Sequence, residues 1–286
     1  MNKFYNNVKT ALLLGLLTGL ILWAGDMIAP GGTGLTVALV MAGVMNVVAL
    51  FFSHKIALMS VGAREVGPDH PLHRIVAELA PRAGLPMPRV YVSPQMAPNA
   101  FATGRSYKNS VVCATEGLLQ VLDRNEVAGV MAHELAHIKH RDMLIQTVAA
   151  TIGGAISYLG YMFMFRGSDD EEGANPLAAL AILILGPLAA GLIQAAISRS
   201  REFNADTAGA EICGSPMYLA TALEKIHAYA HQIPMQVNPA FNALMIAEPR
   251  NVMRMIGNIF STHPPLEARL ENLIGRQTTG AVRYAS

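Results

Sequence analysis

Four apolar runs divide the chain. Gly34–Ser53, Met143–Phe165 and Leu177–Ser198 contain no charged residue. Each is close to the ~20 residues a helix needs to cross a hydrocarbon core of roughly 30 Å. The run nearest the N-terminus, Thr10–Gly25, is shorter. It spans if Lys9 snorkels and Met27 and Ile28 extend its far end. The turn Ala29-Pro30-Gly31-Gly32-Thr33-Gly34 lacks the Lys-Ser/Thr ending and the preceding strand of a phosphate loop, so it reads as the bend of a helical hairpin. Lys3 and Lys9 suit the basic start of a signal peptide, but no Ala-x-Ala site follows and a second apolar run arrives at once. A retained anchor is expected. The pattern therefore predicts a transmembrane hairpin over 1–53 (spans 8–28 and 34–53) and a polar block over 54–142. A second hairpin over 143–198 (spans 143–165 and 177–198) and a second polar block over 199–286 follow.

Within the polar blocks the periodicity changes. Leu72, Ile75, Val76 and Leu79 recur at helical spacing, and Gly84 and Pro86 stop that helix. Arg89–Val92 alternates as a strand. Asn99–Thr103 and Ser110–Ala114 follow at hairpin spacing, so the three segments predict a small β-meander. Asp123 is a good N-cap, with Glu126 at the capping-box position of a helix carrying Val127, Val130, Met131 and Leu135. That helix reads on toward the third apolar run. Residues 198–206 read as helical. Ser215-Pro216 opens a further helix, and Leu266, Leu270, Leu273 and Ile274 mark a last short one. Residues 232–251 read as a Met- and Pro-containing loop, and 277–286 as a frayed tail.

Composition and charge sharpen this reading. Of 286 residues, 52% are hydrophobic and 14% charged, against about 25% charged in soluble domains. Lys and Arg are absent from the first inter-span loop. In the second, Arg166 stands against Asp169, Asp170, Glu171 and Glu172. Lys55, Arg64, Lys139, Arg141, Arg199 and Arg201 flank the other ends, so the positive-inside rule places both termini and both polar blocks in the cytoplasm. A net charge of +1 gives no support for nucleic-acid binding. Cys113 and Cys213 fall in cytoplasmic segments, where free buried thiols are expected rather than a disulfide.

The chemistry sits just before the third run. His133-Glu134-Leu135-Ala136-His137 is a His-Glu-x-x-His pentad. On a helix the two imidazoles share a face and can bind one Zn²⁺. Glu134, about 100° around, can accept a proton from water at the open position. A catalytic zinc needs a third protein ligand. Three residues compete for that place: His140, Glu202 and His263. His140 lies about 10 Å along the helix from His133, too far to converge on one ion. Glu202 follows the fourth run, at the same membrane face as the histidines, with Asp206 one turn on and able to take the second ring N–H of a ligating histidine. Taken alone, Glu202 and Asp206 equally suit a solvated helix face paired with Arg199 and Arg201, and His263 suits a turn fixed by Pro264 and Pro265.

Ser200-Arg-Glu-Phe-Asn-Ala-Asp206, His133–His137 and Thr262-His-Pro-Pro265 together resemble the HtpX family of membrane zinc endopeptidases, bacterial relatives of the CAAX prenyl protease. Asn99–Gly104, Ala132–Asp142 and the two-plus-two spans resemble it too, so the likeness covers nearly the whole chain. The resemblance implies an α+β, mainly α-helical integral membrane protein of the bacterial inner membrane, with a zincin-like catalytic part and four transmembrane helices. It implies one Zn²⁺ per chain on His133, His137 and Glu202, Glu134 as general base, and Asp206 behind a ligand. It further implies His263 as an oxyanion donor and a role for Arg269. Substrates would be damaged or misassembled membrane proteins and unfolded proteins, cleaved without ATP, overlapping in function with an ATP-dependent membrane protease. The 99–104 strand, with Asn99, Phe101 and Thr103, is placed to pair its edge with an extended substrate. Prenyl-peptide processing and a non-enzymatic membrane scaffold with structural zinc are the rival readings. The first would want more spans. The second would make Glu134 dispensable.

Overall fold

The structure is a computed structural model that describes residues 3–28, 32–149, 151–152, 199–230 and 264–275. His263, the loop 232–251, the acidic loop 168–172, the tail from 277 and most of the second apolar hairpin lie outside these residues.

Helices α1 (Lys3–Ile28) and α2 (Gly32–Phe51) form the first hairpin. Among the described residues α2 is the one helix long and apolar enough to cross a membrane, and α1 holds a shorter apolar stretch, 8–23. The start of the third apolar run, 143–152, joins them. Ile145, Val148, Ala149 and Ile152 bury against Leu13 and Leu17 of α1 and Ala38 and Ala42 of α2. Of the four expected spans, the described residues thus give one full-length apolar helix, a shorter one, and the beginning of a third.

The polar blocks fold around a central helix. Helix α3 (Ser53–Ser60) leads to β1 (Arg64–Glu65). Helix α4 (Pro71–Ala83) starts on His70 and ends where Gly84 adopts φ 69°, as its Gly-Leu-Pro ending predicts. Strands β2 (Arg89–Ser93), β3 (Ala100–Ser106) and β4 (Asn109–Thr115) complete a four-stranded sheet. Its order is β1-β2-β4-β3, with β2 parallel to β4 and β3 antiparallel to it. The hairpin 100–115 is as expected, but the meander is not: β2 pairs with β4, leaving β3 at the edge. Ser110–Thr115 and Ala100–Gly104 are both buried throughout, as in strands covered on both faces, so burial fits both strands and the order is set by the parallel pairing of β2 with β4.

After α5 (Glu116–Val121), helix α6 (Arg124–His140) begins on a complete capping box: Asp123 accepts from the Asn125 and Glu126 amides, and Glu126 accepts from the Asp123 amide. From Val127 to Ile138 all but Ala128 are buried, because α6 is packed on several sides. Leu72 and Val76 of α4, Ala100 and Ala102 of β3, and Ala205, Leu219 and Leu223 from the later helices share its core. These last two helices are α7 (Arg199–Cys213) and α8 (Pro216–Ala230), followed by α9 (Leu266–Ile274). Gly129 permits the α6–α8 approach, since a Cβ there would stand 2.6 Å from the Leu219 nitrogen.

The active helix does not run unbroken into the third apolar run. Arg141 adopts φ 62° and caps α6, and a new helix begins at 143. Strand β3 is tied to that new helix. The Thr103 and Thr147 hydroxyls lie 3.0 Å apart and buried, and Thr147 donates to the Met143 carbonyl at 2.6 Å. Thr103 is therefore the donor to Thr147. Replacing Thr103 by Val is expected to cost about 1 kcal/mol, read as a lower denaturation midpoint, with Thr103→Ser recovering most of it. An unchanged Thr103→Val midpoint would show that this link carries no stability.

Candidate metal centre

The two motif histidines are one helical turn apart on α6 and almost fully buried. Their Nε2 atoms face each other at 3.1 Å, with the rings perpendicular. Glu202, from the first turn of α7, completes a triangle: Oε1 lies 3.5 Å from His137 Nε2, and Oε2 lies 3.8 Å from His133 Nε2. Among the described residues these three form the one group of histidine, cysteine or carboxylate side chains that converges as metal ligands do.

The opposite ring nitrogens decide what the triangle suits. His133 Nδ1 lies 2.9 Å from Asp206 Oδ1, and His137 Nδ1 lies 3.7 Å from Asp142 Oδ2. Asp206 holds the His133 proton on Nδ1, and Asp142 stands on the same side of His137; with both protons on Nδ1 the Nε2 lone pairs point at one another. Two lone pairs so close repel unless a cation lies between them. Two nitrogens bound to one Zn²⁺ at 2.0–2.1 Å with tetrahedral angles would stand about 3.3–3.4 Å apart. The spacing fits, and the two-imidazole, one-carboxylate donor set is that of a catalytic zinc site with one position open.

Each supporting carboxylate is itself held by arginine. Arg269 of α9 grips Asp206 with both ends, Nη2 to Oδ1 at 2.6 Å and Nε to Oδ2 at 3.0 Å. Arg201 reaches Asp142, Nη1 to Oδ1 at 3.4 Å. Burial pushes the Asp206 carboxyl up, but Arg269 and His133 outweigh it and hold the group below the usual carboxylate range. Burial likewise opposes charge on His137. Glu202, Asp142 and Glu134 overcome it and lift its pKa to about 9. Burial also pushes up the Cys113 thiol on β4, with the Glu134 charge adding to it. Both cysteines are free and buried.

Local packing explains how α7 comes so near. A Cβ at Gly209 would lie 2.9 Å from the His133 backbone nitrogen, so only glycine lets α7 rest there against the ligand turn. The break after α6 matters as much. On a continuous helix residue 142 would point about 140° away from residue 137. The Arg141 turn brings Asp142 back to His137.

Of the residues singled out from sequence, His133, His137, Glu202 and Asp206 meet here, and Glu134 lies buried beside them. Glu202 and Asp206 are fully buried, not a solvated face, and Arg201, expected as a solvated flanking charge, is buried against Asp142. His140 stays out of the triangle and lines a separate cavity of about 240 Å³ with Asp142, Arg201 and Glu211. His263 lies outside the described residues. Asn99, Phe101 and Thr103 are buried inside the fold, so their side chains are not presented to a partner. Sequence reasoning missed Asp142 and Arg201 as site residues. Their signal was present as Arg-Asp closing the motif helix and Arg beside the ligating Glu.

A buried His-Glu-x-x-His helix, crossed by a helix bearing Glu and Asp one turn apart, defines a metallopeptidase. Comparisons agree. The profile of peptidase family M48 matches residues 68–277. "Protease HtpX homolog" of Burkholderia cenocepacia is 50% identical over 283 residues, covering 96% of this chain and 99% of that protein. The protein of the same name from Desulforapulum autotrophicum is 47% identical over 277 residues, covering 94% and 89%. Among solved structures, S. mikatae Ste24p aligns with a TM-score of 0.49 and 18% identity, over 95% of this chain and 66% of that one. The chain belongs to peptidase family M48, in its HtpX group of membrane metalloproteases.

Two outcomes are expected. Asp206→Ala should weaken divalent-metal binding by roughly 10–100-fold in chelator competition, and unchanged affinity would remove Asp206 from the site. Because His137 is protonated up to about pH 9 in the metal-free protein, a metal must displace that proton. Apparent affinity should then fall by roughly tenfold per pH unit on acidification below that value. A flat profile between pH 6 and 8 would contradict it.

Proposed function

We propose that the chain is an ATP-independent zinc endopeptidase. The carrying observation is the buried triangle of His133, His137 and Glu202 with a carboxylate behind each histidine. One Zn²⁺ held by these three side chains would polarise a scissile carbonyl and make a water acidic enough to lose its proton near neutral pH. Glu134, displaced around α6 from the ligands, takes that proton and delivers it to the leaving amine. Burial serves this step by excluding bulk water, so the negative carboxylate acts at low dielectric. Asp206 and Asp142 keep each imidazole in the tautomer that presents Nε2. Arg269 grips the Asp206 carboxylate and keeps it charged, and Arg201 stands 3.4 Å from Asp142. His263 is proposed to donate to the developing oxyanion, a contribution of about 2.7–4 kcal/mol by comparison with other oxyanion donors.

Substrate enters as an extended segment against β3. Among the described residues no strand pairs with the outer edge of β3, and Ala100 and Ala102 let the strand lie close to α6. Main-chain pairing there would give binding with little side-chain selectivity, suited to unfolded and misassembled proteins. The chain is proposed to be multi-pass in the bacterial inner membrane, with four spans and with both termini and the site in the cytoplasm. It takes substrates that reach the site along the bilayer, and shares that load with an ATP-dependent membrane protease. Lys and Arg placement supports the orientation. The packing of 143–152 against α1 and α2 supports a site hung from membrane helices.

The test pairs wild type with Glu134→Gln, purified in detergent with metal present. Both are expected to bind one zinc. Only wild type should cleave an unfolded test protein, and chelator should stop it until zinc is restored. Cleavage by Glu134→Gln at more than about one-hundredth of the wild-type rate would reject Glu134 as the base. Zinc in both and cleavage in neither would favour a structural-zinc scaffold.

A further inference from the structure

A second feature lies apart from the metal centre, where α2 ends. Phe51 closes the apolar helix and Phe52 follows it, and both rings are exposed. The Arg105 guanidinium, from the far end of β3, sits 4.8 Å from the Phe51 ring centroid, and the Lys55 ammonium 5.7 Å from that of Phe52. Arg89 of β2 lies 5.9 Å from the Tyr91 ring. All three cations act on the His54 imidazole. Its pKa is lowered first by burial and then by Arg89, Lys55 and Arg105. All three basic side chains are exposed. Glu65 enters the cluster only through Tyr91, whose hydroxyl donates to its Oε2 at 2.9 Å, and among the described residues no carboxylate forms an ion pair with Lys55, Arg89 or Arg105.

Glu65, which Arg89 reaches through the Tyr91 hydroxyl at 3.4 Å, offsets one of these charges in part; the like charges that remain cost free energy in an isolated protein, and an anion from outside lowers that cost. Depth selects the anion. If α2 spans the bilayer, as the proposed function has it, Phe51 marks the hydrocarbon boundary, and a guanidinium lying on its ring stands at the level of lipid phosphates. A guanidinium stacked face-on keeps its N–H groups free in the plane, which suits phosphate oxygens. The aromatic rings meanwhile suit the upper acyl region. We propose that Lys55, Arg89 and Arg105, with Phe51 and Phe52 beneath, bind the headgroup of an anionic phospholipid.

The experiment uses the full chain in detergent and measures lipid retained by native mass spectrometry. Phosphatidylglycerol and phosphatidylcholine of equal chain length are added in parallel. Wild type is expected to retain the anionic lipid preferentially. Lys55→Gln with Arg105→Gln should lower that preference by about tenfold or more, given the usual attraction per basic residue at an anionic surface. The charge-keeping pair Lys55→Arg with Arg105→Lys should keep most of it, which separates lost charge from a disturbed fold. Equal retention of the two lipids by wild type, or full preference in the glutamine variant, overturns the proposal. So does displacement of the lipid by inorganic phosphate alone, which would mark a free-anion site. Neither lipid readout depends on proteolysis, so a failure of the peptidase reading would leave it standing, and the reverse.

Discussion

Two imidazole nitrogens held 3.1 Å apart inside a protein are stable only when something positive lies between them or one of them carries a proton. Everything near the centre follows from that constraint. The carboxylates behind the rings set the tautomer that makes the lone pairs face each other. Those carboxylates are buried and would be costly alone, so each is met by an arginine. The arginines are buried in turn, and come from α7 and α9, so the centre draws three helices together. The charges are not a stabilising surplus. Buried pairs of this kind roughly break even against apolar packing. What they secure is one geometry, in which Glu202 on another helix meets His133 and His137 of α6 as metal ligands would.

Backbone devices set the distances. Gly209 lets α7 touch the backbone of His133, and the left-handed Arg141 stops α6 one residue before Asp142. Neither device involves a ligand, yet without them the ligand triangle would open or lose one of its supports. The Arg141 turn is the more informative. A bulky residue at positive φ is held there by its surroundings, and the result is a carboxylate turned back on the helix it follows. The turn also separates two environments. Before it, α6 is wrapped by the sheet and by α4, α7 and α8. After it, the chain packs against the apolar hairpin.

Much of this was legible from residues alone. The pentad at 133–137 announces its own helix face, and the capping box at Asp123 and Glu126 announces where that helix starts. Glu202 and Asp206 stand one turn apart just after an apolar run, which alone suits a solvated face; the pentad at the same membrane face and the family resemblance picked them out. The sheet order was less legible. Hairpin spacing specifies which strands are close in sequence, and β3 and β4 did pair. Nothing in Arg89–Ser93 itself says that it will skip β3 and lie parallel to β4. The apolar run of β4 announces a strand covered on both faces, but β3 is buried in the same way, so the order is settled only by the tertiary fold. The arginine supports were hidden for another reason. Charge at the end of an apolar run reads as an interfacial residue, and only the tertiary fold turns Arg201 inward to Asp142.

The edge strand and the ligand helix share one reference frame. Strand β3 is held to the 143–149 helix through Thr103 and Thr147, and to the end of α2 through Arg105 over Phe51. The ligand helix α6 reaches the same 143–149 helix through a two-residue break. In the proposed reading, a substrate strand laid along β3 and a water attacking at α6 would both be positioned against the same apolar helices. A displacement of those helices that carried β3 and α6 together would leave the distance between cleavage point and nucleophile unchanged. One that moved β3 alone would have to break the buried threonine pair. A water-using centre therefore gains something definite from standing next to an apolar run. Residues 143–149 are the support that β3 and α6 share.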